Sequence, residues 1–171
     1  RSHLATPNID LDTHIRDVVN LIEFDDLNAV VLVSHSYGGV VAQGVISAMP
    51  DRIAEVIYID SHLLEDGECY FTHHAKSQEQ LTRRANEAGN GFLIPVDWDN
   101  PMRDTPHPLA TLVQPIKLVK AAQDRVPATY WLLADGKEAE TDERFRYYQR
   151  AVKRGLATRI LPWNHNPQRA R

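Results

Sequence analysis

The sequence predicts an α/β fold, a mostly parallel sheet flanked by helices, and three observations carry that prediction. Short apolar runs rich in β-branched residues alternate along the chain with helical patterns. The run AVVLV at 29–33 is apolar throughout, the pattern of a strand covered on both faces of a parallel sheet. A single long stretch with many prolines and glycines, from about 62 to 126, interrupts the alternation once. With 171 residues, 43% of them hydrophobic, the chain has material for one core and reads as a single domain over 1–171 with an insertion at about 62–126.

The elements follow in order. DLDTHIRDVVNLIEF sets Leu11, Ile15, Val18, Val19 and Ile22 on one stripe behind the possible N-caps Asp10 and Asp12, which predicts a surface helix. After the strand at 29–33, GVVAQGVISAM reads as a helix closed by Pro50 and Asp51, and IAEVIYID (53–60) as a second strand. ATYWLLAD (128–135) is a third strand, ETDERFRYYQRAVKRG a helix ending at Gly155, and LATRILPW (156–163) a fourth strand. Within the excursion, helical stretches are expected near KSQEQLTRRANEAG and PLATLVQPIKLVKAAQ, forming a small, mainly helical cap.

Charge and cysteine content exclude several classes of function. Nineteen Lys and Arg against twenty-three Asp and Glu leave a formal charge of −4, so there is no field to hold nucleic acid or an anionic membrane. The single cysteine, Cys69, has no internal partner, and neither CxxC nor Cys/His metal spacing occurs. That usage suits a reducing compartment, the cytoplasm. The first residues, RSHLATPNIDLD, do not have the form of a leader, and no apolar run is long enough to span a bilayer.

The segment VLVSHSYGGVVAQGV carries the chemistry. Three apolar residues, Val31 to Val33, stop at Ser34-His35-Ser36-Tyr37-Gly38-Gly39 and a helical pattern resumes at once. A serine hydroxyl is a weak nucleophile, so it must be held clear of its backbone, beside a base and near N–H donors. A sharp strand-to-helix turn with small residues two before and two after the serine does this, the logic of the nucleophile elbow. Ser36 is the candidate nucleophile, with Ser34 in place of the usual first glycine, and the N–H of Tyr37 is the candidate oxyanion donor. Asp135 and His165 each lie just beyond a later strand, in the order acid then base, and are the candidate partners. Asp60, after IYID, is the rival acid, and chain order favours Asp135. His35 is assigned to packing or hydrogen bonding beneath the turn, and His73-His74 to a solvated cap loop rather than a metal site. Phe92, Trp98, Leu109 and Leu112, interleaved with prolines, are the candidate apolar wall of a substrate pocket, which favours aromatic or medium-chain acyl groups over charged ones.

VVLVSHSYGGVVAQGV, RIAEVIYIDSHLLEDGE, HPLATLVQPIKL, YWLLADGK and NHNP together resemble the α/β-hydrolases of the plant-esterase type, which include methyl-salicylate-type esterases, hydroxynitrile lyases and bacterial carboxylesterases. The resemblance implies a serine hydrolase acting on small carboxylic esters through an acyl-enzyme, with Ser36, Asp135 and His165 as its triad and with neither metal nor organic cofactor. Members of this group carry a His-Gly motif on an early strand, whose loop gives a second oxyanion donor. No His-Gly pair precedes Ser36, which implies a chain partial at its N-terminus and, as the alternative function, a catalytically impaired or non-catalytic remnant. The lyases of the group place a lysine directly after the catalytic histidine. Here that residue is Asn166, which cannot balance a departing cyanide, so ester cleavage without cyanohydrin cleavage is expected.

Overall fold

The computed structural model describes residues 4–96, 105–135 and 138–167. The first helix, α1 (Leu11–Phe24), begins at a capping box in which Asp10 accepts from the Thr13 N–H and Thr13 answers the Asp10 N–H. The elbow joins β1 (Val30–His35) to α2 (Gly38–Ala48), and a single 3₁₀ turn at Pro50–Arg52 leads into β2 (Ile53–Ile59). After the excursion come β5 (Ala128–Leu133), α6 (Phe145–Lys153) and β6 (Ala157–Leu161). These strands form one four-stranded sheet in the order β1-β2-β5-β6, every pair parallel. The α/β class and the parallel sheet are those the alternation predicts.

Between β2 and β5 lie α3 (Ala75–Ala88), a two-residue antiparallel pair of β3 (Leu93–Ile94) with β4 (His107–Pro108), and two short helices, α4 (Ala110–Val113) and α5 (Lys120–Arg125). The single helix suggested by PLATLVQPIKLVKAAQ is therefore two. Pro115 has no N–H to donate and forces the preceding Gln114 into extended backbone, at φ −71 and ψ 126, so the first helix stops there.

The core lies between the sheet and its helices, with Val40, Val45, Ile46, Val56, Tyr58, Leu132 and Tyr147 fully enclosed. β1 departs from the expectation of a strand covered on both faces. Val31 and Val33 are 52% and 64% exposed, because β1 is the edge of the described sheet and only alternate residues, such as Val30 and Leu32, pack into the core.

Three buried polar groups fix the chain just after β2. The Gln43 side chain, on α2, donates to the Leu64 carbonyl and accepts from the Leu64 N–H, both at 2.9 Å. The Tyr130 hydroxyl donates to the Ser61 carbonyl at 2.7 Å, and the His62 N–H donates to the Ser36 carbonyl at 3.1 Å. The chain at 60–64 is thus held to α2, to β5 and to the elbow at once. Gly39 makes this approach possible, since a Cβ there would meet the His62 carbonyl oxygen at 2.5 Å and Ser61 Cβ at 2.7 Å. Both obstacles belong to a segment pinned on three sides, so Gly39→Ala is expected to destabilise the fold by about 1–3 kcal/mol, read as a lower urea midpoint. An unchanged midpoint would show that the segment is free to move.

Candidate active site

The sharp strand-to-helix turn expected at Ser36 exists as a local conformation. Ser36 has φ +54, a left-handed backbone that a side-chain-bearing residue adopts only when its surroundings impose it. The constraint comes from the Ser36 N–H bonded to the Ile59 carbonyl and the Ser36 carbonyl taken by the N–H groups of Gly39 and His62. Ser34 and Gly38, flanking the serine two residues away, approach closely: a Cβ on Gly38 would stand 3.9 Å from Ser34 Cβ. Serine in place of the first glycine is accommodated because its hydroxyl finds acceptors beneath the turn, donating to the Ile57 carbonyl.

Ser36 and His165 meet. The Ser36 hydroxyl lies 3.0 Å from His165 Nε2, and His165 Nδ1 lies 2.6 Å from Asp60 Oδ2. A carboxylate accepts only, so Nδ1 carries the proton and Nε2 is left to accept from the serine. Nothing of this contact involves Asp135. Asp135 is exposed beyond the end of β5 and is not among the partners of His165; the side chain the structure brings to His165 is that of Asp60, the rival acid.

Register supplies the physical reason. His35 pairs with Ile59 across β1 and β2, so Ser36 and Asp60 are the next residues on adjacent strands. Asp135 follows a strand separated from β1 by β2, and it stands past the level at which Ile59 pairs with Trp131. Like the serine, Asp60 has a positive φ, +48, which marks a second strand end turned sharply to present its side chain.

Asp60 is 0% exposed and is held on every side. Its N–H donates to the Trp131 carbonyl at 2.7 Å, and its Oδ1 accepts from the Leu133 N–H at 3.1 Å. Its Oδ2 faces both His165 and the Arg144 guanidinium, the latter at 3.2 Å. A buried carboxylate is tolerable only with such partners. His35 reinforces the arrangement from below. Its Nε2 donates to the His165 carbonyl at 2.6 Å and the two rings lie 4.6 Å apart, so the role beneath the turn is to hold the histidine loop.

The Tyr37 N–H opens α2 and is taken by no acceptor among the described residues. The Tyr37 ring leaves the site, with its hydroxyl 3.1 Å from His14 Nδ1, beside a cavity of about 300 Å³ lined by Thr13, His14, Pro106 and Pro108 among others. Of the candidate pocket residues, Leu112 is buried in an apolar cluster with Phe71 and Ile94, against which Tyr37 and Leu109 pack. Phe92 is half-buried at the entry to β3, and Trp98 lies outside the described residues. His73 Nε2 donates to Glu68, which also grips Arg150, and His74 meets the Tyr147 hydroxyl, so both histidines have protein partners. Among the described residues no cluster of metal-ligating side chains occurs, and no helix is long and apolar enough to cross a membrane.

Acid will act on this region with one sign. Burial holds the His62 imidazole down at about 3, with His74 adding to the effect, and burial beside His14 holds His107 at about 4. Burial pushes the Glu68 carboxyl up, but Arg150, the Glu65 N–H and His73 outweigh it and bring it down to about 2. Each folded value lies below its unfolded one, so the unfolded chain binds more protons as pH falls. Stability is whole above the ordinary histidine value of 6.5 and is lost progressively from there toward about 3. Thermal melting should fall steadily between about pH 7 and about pH 4, and less steeply in His62→Phe. Equal melting temperatures across that range would contradict the burial of these groups.

The comparisons with known proteins bear on the whole chain. A family model described as the alpha/beta hydrolase family matches residues 1–170. A carbendazim hydrolyzing esterase from Nocardioides sp. (strain SG-4G) is 30% identical over 189 residues, covering 97% of this chain and 76% of that protein. Among solved structures, an extracellular alpha/beta-hydrolase from a Paenibacillus species has a TM-score of 0.74 at 21% identity, covering 94% of this chain and 74% of that one. A methylesterase from Arabidopsis has a TM-score of 0.59 at 20% identity, covering 96% and 77% respectively. At these identities the solved structures speak for the fold.

Proposed function

Because the chain belongs to the alpha/beta hydrolase family, we propose that it is a serine esterase whose triad is Ser36, His165 and Asp60, acting on small neutral carboxylic esters. The observation that carries this reading is the unbroken line from Ser36 Oγ through His165 to Asp60, at 3.0 and 2.6 Å. Ser36 gives its proton to Nε2 as it attacks the ester carbonyl, and Asp60 holds the imidazolium that results. The carbonyl oxygen takes up negative charge against the Tyr37 N–H at the positive end of α2. His165 then protonates the departing alcohol, leaving an acyl group on Ser36. A water, activated by the same histidine, releases the acid and restores the serine. Every proton is carried by side chains of this protein, and the scheme calls for no metal or organic cofactor.

The elements between β2 and β5 act in this reading as a cap, with the cluster of Phe71, Ile94, Leu109 and Leu112 beside Tyr37 as its apolar wall. Aryl or medium-chain acyl groups suit that wall better than charged ones. The relative named for hydrolysing carbendazim supports small-molecule ester chemistry. Cytoplasmic placement belongs to the proposal and draws on the lone Cys69.

The test is a comparison of variants on p-nitrophenyl butyrate. Ser36→Ala and His165→Ala should abolish turnover, and Asp60→Asn should lower kcat by about 10⁴-fold, whereas Asp135→Asn should stay within about twofold. Loss in Asp135→Asn with activity kept in Asp60→Asn would overturn the assignment of the acid. Mandelonitrile should yield no cyanide at a rate rivalling the ester, since Asn166 offers no cation and its N–H is occupied by the Asn164 side chain.

A further inference from the structure

Resting on that triad, we propose that Arg144 is a positioning residue of the reaction: shared between Asp142 and Asp60, its guanidinium orients the Asp60 carboxylate and sets the net charge that faces His165. The geometry is asymmetric. Arg144 donates from Nε and Nη2 to the two oxygens of Asp142 at 2.9 and 2.8 Å, a fork that fixes the plane of the guanidinium. The Asp142 carboxylate also accepts the Arg144 backbone N–H at 2.9 Å, which anchors the fork to the start of α6. From that fixed plane Nε lies 3.2 Å from Asp60 Oδ2, the same oxygen that receives His165. With Oδ1 bound to the Leu133 N–H, the carboxylate cannot rotate without breaking a contact at one end or the other.

The side chains of Asp142, Arg144 and Asp60 are 7%, 16% and 0% exposed, so their charges are weakly screened. Two carboxylates and one guanidinium leave a single negative charge facing the imidazole, which the imidazolium of the transition state neutralises. Without Arg144 two negative charges would face it, favouring the imidazolium before reaction begins. Protonated His165 cannot accept the serine proton, so activity would then need higher pH.

The other titratable groups facing this cluster do not take over that role. Burial pushes His35, His62 and His74 down, toward the neutral imidazole, and pushes Tyr70 and Tyr130 up, toward the protonated phenol. Glu143 faces the guanidinium from the solvent side, with 67% of its side chain exposed.

The measurement is the pH profile of kcat/KM on p-nitrophenyl butyrate for wild type, Arg144→Met, Arg144→Lys and the double variant Arg144→Met with Asp142→Asn. Fluorophosphonate labelling of Ser36 and melting curves are recorded on the same samples. Arg144→Met should move the acid limb upward by on the order of one pH unit and lower plateau kcat about tenfold with little change in KM. Arg144→Lys should return most of the limb, because the charge remains. The double variant again leaves one negative charge facing His165, so its limb should return toward wild type while kcat stays low for want of the fork. A limb that stays put in Arg144→Met, or that fails to return in the folded double variant, overturns the proposal while labelling at Ser36 keeps the triad. Folded wild type that takes no label at Ser36 removes the triad reading itself and this inference with it.

Discussion

The hydrogen bond between Asp60 and His165 is the contact on which the rest of the site depends. A carboxylate with no exposure to water must be satisfied by the protein, and here the proton on His165 Nδ1, at 2.6 Å, satisfies it in a direction that leaves Nε2 facing Ser36. Were the imidazole turned, neither the carboxylate nor the serine would have its partner. Much of the surrounding architecture keeps that bond short. Gln43, Tyr130 and the His62 N–H rivet the chain after β2, the Trp131 carbonyl takes the Asp60 N–H, and His35 holds the backbone of His165. Helix α2 contributes twice, by its N-terminus at Ser36 and by its buried Gln43 one turn and more along.

The strand ends that carry Ser36 and Asp60 are alike in conformation. Ser36 and Asp60 both take left-handed backbone, side by side on neighbouring parallel strands. Strain of this kind costs on the order of 1–3 kcal/mol per residue and persists only where packing over-determines it. Gly39 is the point at which that packing is tightest, since it lets α2 lie against the Ser61–His62 backbone. Stability spent at the elbow is recovered in the core beneath, where Val40, Val45 and Val56 are wholly enclosed.

The fold was legible because periodicity reports burial. The capped stripe of α1 and the alternation of strands and helices reflect which side chains face a core, and the parallel sheet follows from them, whereas the unbroken apolar run of β1 overstates its burial, with Val31 and Val33 exposed at the sheet edge. Ser36 was legible for a different reason, as small residues around a serine at a strand end leave few other conformations. The acid was not. Both IYID and LLAD end an apolar strand in aspartate, and chain order prefers the later one. What brings Asp60 rather than Asp135 to His165 is adjacency in the sheet, and adjacency arises from long-range pairing that no local pattern encodes. Arg144 was equally hidden. ETDERF reads as the charged start of a surface helix, and nothing in it announces that one cation turns inward between two carboxylates.

The Nδ1 proton of His165 sits in a buried hydrogen bond to Asp60. Proton NMR at low temperature observes such an imidazole N–H directly, as a far-downfield resonance slowed in its exchange with water. This resonance should be present in wild type, persist in Asp135→Asn and disappear in Asp60→Asn and in His165→Ala. A resonance that survives in Asp60→Asn and is lost in Asp135→Asn would contradict it.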